Sequence, residues 1–173
     1  PGAYGRLVTA ADGSLQAITA ALDCRPEERA ITLCNSGLMA VDGRQLFRLL
    51  DRLTPDNAKG EYYLTDIVAA AREAGLLCRV AEAPADELLG VNSRADLALA
   101  EAAMQRRLRD QAMAAGVTLT APETVHFSAD TRIGRDSIIG PYVVFGPGVT
   151  VGEGVEIPAC CHITGARIGD CAR

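Results

Sequence analysis

From Ile133 onward the chain advances in steps of six. The units read Ile133-GRDSI, Ile139-GPYVV, Phe145-GPGVT, Val151-GEGVE and Ile157-PACCH, then a five-residue step at Ile163-TGAR and a closing Ile168-GDCAR. A large apolar residue opens every unit, and Gly follows it in five of the seven. The fifth position is small or β-branched: Ser137, Val143, Val149, Val155, Cys161, Ala172. Hairpins alternate with period two, so they do not produce a period of six with Gly at one phase. A parallel β-helix does. Each unit is one short strand plus a turn, and three units close a triangular coil. The first residue points to the axis and is large. The fifth also points inward and is compact. Gly at the second position is expected to ease the bend. Phe127-SADTR is a candidate degenerate first unit. Gly146, Gly148 and Gly152 have the wrong spacing for a dinucleotide loop and belong to the repeat.

The other residues set the context. The 173-residue chain suggests one or two domains, and its net charge of −5 argues against nucleic acid or an anionic membrane as a main partner. Arg106, Arg107 and Arg109 read as a solvated helix face. With two His residues and no C-x-x-C, a zinc site is not expected. Six scattered cysteines and no visible export signal or membrane-length apolar run suggest a cytoplasmic protein with reduced thiols. Pro1 begins within an apparent loop, and Arg173 completes a hexad without a polar cap. Repeat stacks need capped ends, so an internal piece of a longer protein is expected.

Residues 1 to about 90 read as alternating strands and helices. Leu7 to Thr9 and Leu15 to Thr19 form a hairpin around Asp12-Gly13. Ile31 to Val41 is an apolar run broken by Asn35, Ser36 and Gly37. A helix is expected from about Gly43 to Leu53 with Asp42 as N-cap, and another from about Thr65 to Ala74 with Gly75 as its stop. Leu76 to Ala81 reads as a strand. Ser93 to Asp96 is a capping box opening a helix that runs to about Ala115. Leu97, Ala100, Met104, Leu108, Ala112 and Ala115 form its apolar stripe, opposite Arg94, Glu101, Gln105, Arg106 and Arg109. The expected divisions are residues 1–92, a connecting helical arm over 93–116, and the start of the β-helix over 117–173.

Polar residues within apolar runs are the candidate sites. Asn35 is either a turn former or a ligand contact. Asn92 precedes the cap Ser93, at a helix N-terminus that favours anions, and is either a second capping residue or a binding one. No Ser-His-Asp set, phosphate loop or carboxylate pair stands out.

Longer motifs carry more. Tyr4-Gly5-Arg6, Cys34-Asn35-Ser36-Gly37, the run Asn57-Ala58-Lys59-Gly60-Glu61-Tyr62-Tyr63-Leu64-Thr65-Asp66, and Gly90-Val91-Asn92-Ser93-Arg94 occur in that order, followed by Gly116-Val117-Thr118-Leu119 and the hexads. Across the whole chain this resembles the bacterial bifunctional enzyme N-acetylglucosamine-1-phosphate uridyltransferase / glucosamine-1-phosphate acetyltransferase. The resemblance implies an α/β segment that is the C-terminal part of a Rossmann-like nucleotidyltransferase domain, then a left-handed parallel β-helix. It implies acetyl transfer from acetyl-CoA to glucosamine 1-phosphate. Uridylyl transfer from UTP with Mg²⁺ then yields UDP-N-acetylglucosamine for peptidoglycan and lipopolysaccharide. Gly5 and Asn35 would contact the N-acetylglucosamine moiety, with Tyr63 and Thr65 lining that pocket. Asn92 would bind Mg²⁺ and the nucleotide sugar, since a neutral carbonyl oxygen can ligate a hard cation beside phosphates. The resemblance also implies a homotrimer for the full-length parent.

One departure bears on affinity. The family's Glu-x-Lys-Asp stretch, whose Glu holds the sugar, corresponds to Ala20-Ala21-Leu22-Asp23. A charged hydrogen bond lost there costs about 1.5–3 kcal/mol. The nucleotide loop and a metal-binding Asp are expected upstream, and the acetyl-transfer His and acetyl-CoA contacts downstream, so the isolated chain is expected to be inactive. Two other readings stay open: a single-activity sugar-1-phosphate nucleotidyltransferase with a structural β-helix tail, and a non-catalytic relative.

Overall fold

In the computed structural model the described residues are Gly2 and residues 4–173. They divide at Gly90/Val91 into two compact units.

In the first unit, β1 (Arg6–Thr9) and β2 (Leu15–Thr19) pair antiparallel, with Leu7 opposite Ile18. The turn forms where sequence places it. Gly13 takes a φ of 78°, and Asp12 Oδ1 accepts from the Ser14 amide at 3.0 Å and the Ser14 hydroxyl at 2.7 Å. The Ile31 to Asn35 stretch runs along the other edge of β1, where Leu7 N donates to Leu33 O and Asn35 N to Gly5 O. Helix α1 (Gly43–Leu50) begins at the expected cap, Asp42, which accepts from Arg44 N at 3.0 Å. It ends before Leu53 because Arg52 and Leu53 tighten the last turn onto the Leu49 and Leu50 carbonyls. Helix α2 (Ile67–Glu73) follows a 3-10 turn at Leu64–Asp66, and Gly75 (φ 76°) stops it. Ile67, Val68, Ala70 and Ala71 bury against Leu7, Leu15 and Ile18.

Leu76 to Ala81 does not form the expected strand. Cys78 O accepts from Leu15 N, but no ladder develops, and Leu77 is exposed.

In the second unit, Ser93 caps α3 (Arg94–Ala114) with a reciprocal box: its hydroxyl accepts from Asp96 N and Asp96 accepts from Ser93 N. Gly116 (φ 95°) ends the helix region. The strands that follow are β3 (Thr118–Leu119), β4 (Arg132–Ile133), β5 (Ile138–Ile139), β6 (Val144–Phe145), β7 (Thr150–Val151), β8 (Glu156–Ile157), β9 (His162–Ile163) and β10 (Arg167–Ile168). All pair in parallel, as β3-β5-β8, β6-β9 and β4-β7-β10. These are the three faces of a coil. Ile133 stacks on Val151, Ile139 on Ile157, and Phe145 on Ile163. The five-residue step leaves the register intact, since Ile168 still meets Val151. Val143, Val149 and Ile139 are fully buried. Ser137 is too, and its hydroxyl is satisfied by Gly152 O and Val155 N.

The β-helix begins earlier than the clean hexads suggest. Val117, Leu119 and Val125 belong to its core, His126 bridges Val144, and Phe127 stacks on Phe145 at 5.4 Å. The second-position glycines also do a different task from the one expected. A Cβ on Gly134 would lie 2.5 Å from the Gly152 carbonyl carbon, and one on Gly140 would lie 2.7 Å from Ala159 N. Close approach of the next coil excludes a side chain there. The left-handed conformation falls two residues later, at Asp136, Tyr142, Gly148, Gly154 and Cys160.

The stripe on α3 is corrected as well. Leu108 and Ala112 pack on the β-helix core, but Leu97 and Met104 are exposed and Gln105 is buried. The Gln105 amide donates to Phe127 O at 2.7 Å and accepts from Phe127 N at 2.8 Å. It completes the backbone pairing of a residue that no strand covers, which is why a polar side chain occupies the contact.

Candidate functional site

The site is built outward from β1. Gly5 O accepts from Asn35 N at 2.8 Å, so the two residues expected at the sugar lie on adjacent backbones. A Cβ on Gly5 would sit 3.3 Å from Ile18 Cγ2 and 3.3 Å from Thr19 O, a tight fit against β2. Asn35 takes the turn of its first reading and also borders a cavity. Its Oδ1 accepts from Gly37 N at 3.2 Å, forming a local turn, while the residue lines a cavity of about 1240 Å³. That cavity is mostly apolar: Leu7, Ile18, Leu33, Met39 and Leu76 are among its walls, with Tyr4 and Cys34 beside Asn35.

Tyr63 and Thr65 are half-buried around the 3-10 turn that packs on β2, and they do not line that cavity. Their loop is shaped by residues that the sequence reading quoted without giving them a role. Asn57 Oδ1 accepts from Lys59 N at 3.1 Å and Glu61 N at 3.2 Å, and its Nδ2 donates to Glu61 O. Asp23 Oδ1 accepts from Ala58 N at 3.0 Å and ties this loop to the segment after β2. An Asn two and four residues ahead of the amides it binds is an Asx-turn signature that was available in the sequence. The Asp23 contact, across distant positions, was not. Burial, and then the nearby Asp23 carboxylate, pushes the Asp66 carboxyl above its ordinary value.

Asn92 lies in the second unit. Its amide donates to Asp96 Oδ2 at 3.1 Å, so its backbone does take part in the cap. Its side chain is exposed and makes no hydrogen bond among the described residues, which leaves its carbonyl oxygen available to a ligand. The neighbouring Asp96 carboxylate is held below its ordinary value by the Ser93 hydroxyl first and then by the Asn92 amide. Ala20 and Leu22 occupy the segment joining β2 to Asp23, and Leu22 is exposed. Among the described residues no three His, Cys, Asp or Glu side chains converge as a metal site, and no helix is long and apolar enough to cross a membrane.

Comparison with known proteins bears on the repeat and on the family. A family model described as bacterial transferase hexapeptide (six repeats) matches residues 130–165. A bifunctional protein GlmU from Rhodospirillum rubrum is 67% identical over 165 residues, covering 95% of this chain and 37% of the relative. The proteins of the same name from Hyphomonas neptunium (53% over 170 residues) and Paramagnetospirillum magneticum (56% over 168 residues) cover 98% and 97% of the chain. The chain thus spans about 37% of the length of these curated relatives. The matches run through the first unit and across the β-helix, at identities far beyond what a shared repeat alone produces, and the chain belongs to the bifunctional GlmU family.

Proposed function

We propose that this chain carries part of the sugar-binding side of a uridyltransferase site, together with the opening coils of an acetyltransferase β-helix. The whole protein would make UDP-N-acetylglucosamine from glucosamine 1-phosphate, using acetyl-CoA and then UTP. The first unit would be the C-terminal part of a Rossmann-like nucleotidyltransferase domain, extending to about residue 92. The observation that carries the reading is the Gly5–Asn35 backbone pair beside a cavity, within a chain whose relatives are bifunctional.

Gly5 presents backbone at close range because no side chain intervenes, and Asn35 has free amide donors for an acetamido oxygen. Tyr63 and Thr65 would form the flank, held by Asn57 and Asp23. Asn92 would contribute one neutral oxygen to Mg²⁺ and to the nucleotide sugar. That single donor suits a cation which keeps waters and substrate phosphates as its other ligands. Bound Mg²⁺ supplies charge neutralisation of the phosphates. The whole protein would be a cytoplasmic homotrimer. On the coils Ile138, Tyr142 and Val144 are exposed, and some of this apolar surface would meet a neighbouring β-helix.

The test uses the intact protein. Asn92→Ala lowers uridyltransferase kcat/KM by about 10- to 100-fold and leaves acetyl transfer unchanged. If both activities fall together at unchanged stability, the assignment fails. Ala20→Glu tightens sugar binding by about 10- to 100-fold, read by calorimetry. No gain would mean that the pocket has been rebuilt around Ala20.

A further inference from the structure

Arg6 is 6% exposed, and its partners among the described residues are carbonyls and a thiol rather than a carboxylate. Nη1 donates to Tyr4 O and reaches Cys34 Sγ at 3.8 Å, and Nη2 donates to Gly2 O at 3.1 Å. Nε is buried and has no partner among the described residues. A buried cation without a counter-charge is costly, and an apolar side chain of the same length would avoid that cost. What the guanidinium adds is a rigid planar fork that can hold two carbonyls and a third group at once. The groups it holds flank the two proposed sugar contacts. Gly2 and Tyr4 precede Gly5, and Cys34 precedes Asn35 and bridges Arg6 itself. Gly2, Tyr4 and Cys34 are therefore tied by one side chain, in addition to the backbone bonds from Asn35 N to Gly5 O and from Leu7 N to Leu33 O.

We propose that Arg6 is a positioning residue for the sugar pocket: its fork holds Gly2 and Tyr4 against Cys34, so that Gly5 and Asn35 meet the ligand at a set separation. This rests on the reading that Gly5 and Asn35 bind the N-acetylglucosamine moiety. Uridylyl transfer by the intact protein tests it, with N-acetylglucosamine 1-phosphate and UTP varied separately. Arg6→Met raises KM for the sugar phosphate about 10- to 100-fold and leaves KM for UTP and the rate of acetyl transfer unchanged. Arg6→Lys behaves the same way, because an ammonium lacks the planar fork that holds both carbonyls and Cys34 in fixed directions. It also supplies the result should Arg6→Met fail to fold. A normal sugar KM in Arg6→Lys overturns the proposal, as does a parallel loss of both KM values with a lowered melting temperature. Asn35→Ala separates the two layers. If it raises the sugar KM while the Arg6 variants do not, only the positioning role falls. If it leaves the sugar KM unchanged, the pocket reading itself falls and takes the Arg6 role with it.

Discussion

The two units bury their apolar residues in different ways. In the β-helix every coil repeats the same inward set, and the next coil closes the backbone pairing; Ile139, Val143 and Val149 reach zero exposure. In the first unit a smaller cluster around Ile67 and Leu49 borders a cavity of about 1240 Å³, while Leu38, Phe47 and Tyr62 stay exposed. A repeated unit solves its packing once and copies the solution. An irregular α/β unit must solve each contact separately, and the space it leaves open is where a ligand can be held.

This contrast predicts unequal costs for similar truncations. Ile139→Ala should destabilise by about 3–4 kcal/mol, because the surrounding coil cannot collapse into the void. Ile18→Ala, on the cavity wall, should cost nearer about 2 kcal/mol, since part of its surroundings is already empty. Denaturant unfolding with hydrogen exchange assigned to each unit measures both, and equal costs would erase the distinction. Gln105→Met sharpens it within the second unit. Losing the amide leaves Phe127 N and O unpaired in a buried place and should cost about 2–3 kcal/mol, with early exchange at the Phe127 amide. A neutral outcome would mean that water replaces the side chain.

The smallest effect concerns pH in the first unit. Asp66 has a raised carboxyl, so its ionised form is the one folding disfavours. Stability contributed by its neutral form is present at low pH and is lost as pH rises through the raised value. Asp66→Asn should therefore stabilise at neutral pH by no more than about 0.5 kcal/mol, and the gain should vanish as the solution is acidified. A variant less stable than the parent at neutral pH would reverse the sign and break the account.

How far the sequence could be read follows the same division. Ile139, Val143 and Phe145 announce their burial because the coil repeats, and a repeat averages out local noise. The caps at Asp42 and Ser93 were legible because each is a short-range rule. Gln105 was misplaced because helical periodicity counts it as polar, whereas its neighbour is a lone stretch of backbone at Phe127 that only a hydrogen-bonding side chain can satisfy. Arg6 and Asp23 were invisible for a related reason: their partners, Cys34 and Ala58, are brought near by tertiary folding. Asn35 stood out as a polar residue in an apolar run, but its sugar role and that of Gly5 came from resemblance, and nothing in their local chemistry alone would have paired them.

The corners of the β-helix carry a further consequence. There the coils are joined through backbone, as when Cys160 N donates to Pro141 O and Cys171 N to Glu153 O. The unit from Ile163 to Arg167 is one residue short, yet the face beyond it stays in step. Length is thus enforced on the faces and relaxed between them. Loop closure grows costlier only slowly with added residues, so a corner can absorb a long insertion while the stack beneath it keeps its count. Such an excursion could reach out to a neighbouring surface without disturbing a single inward side chain.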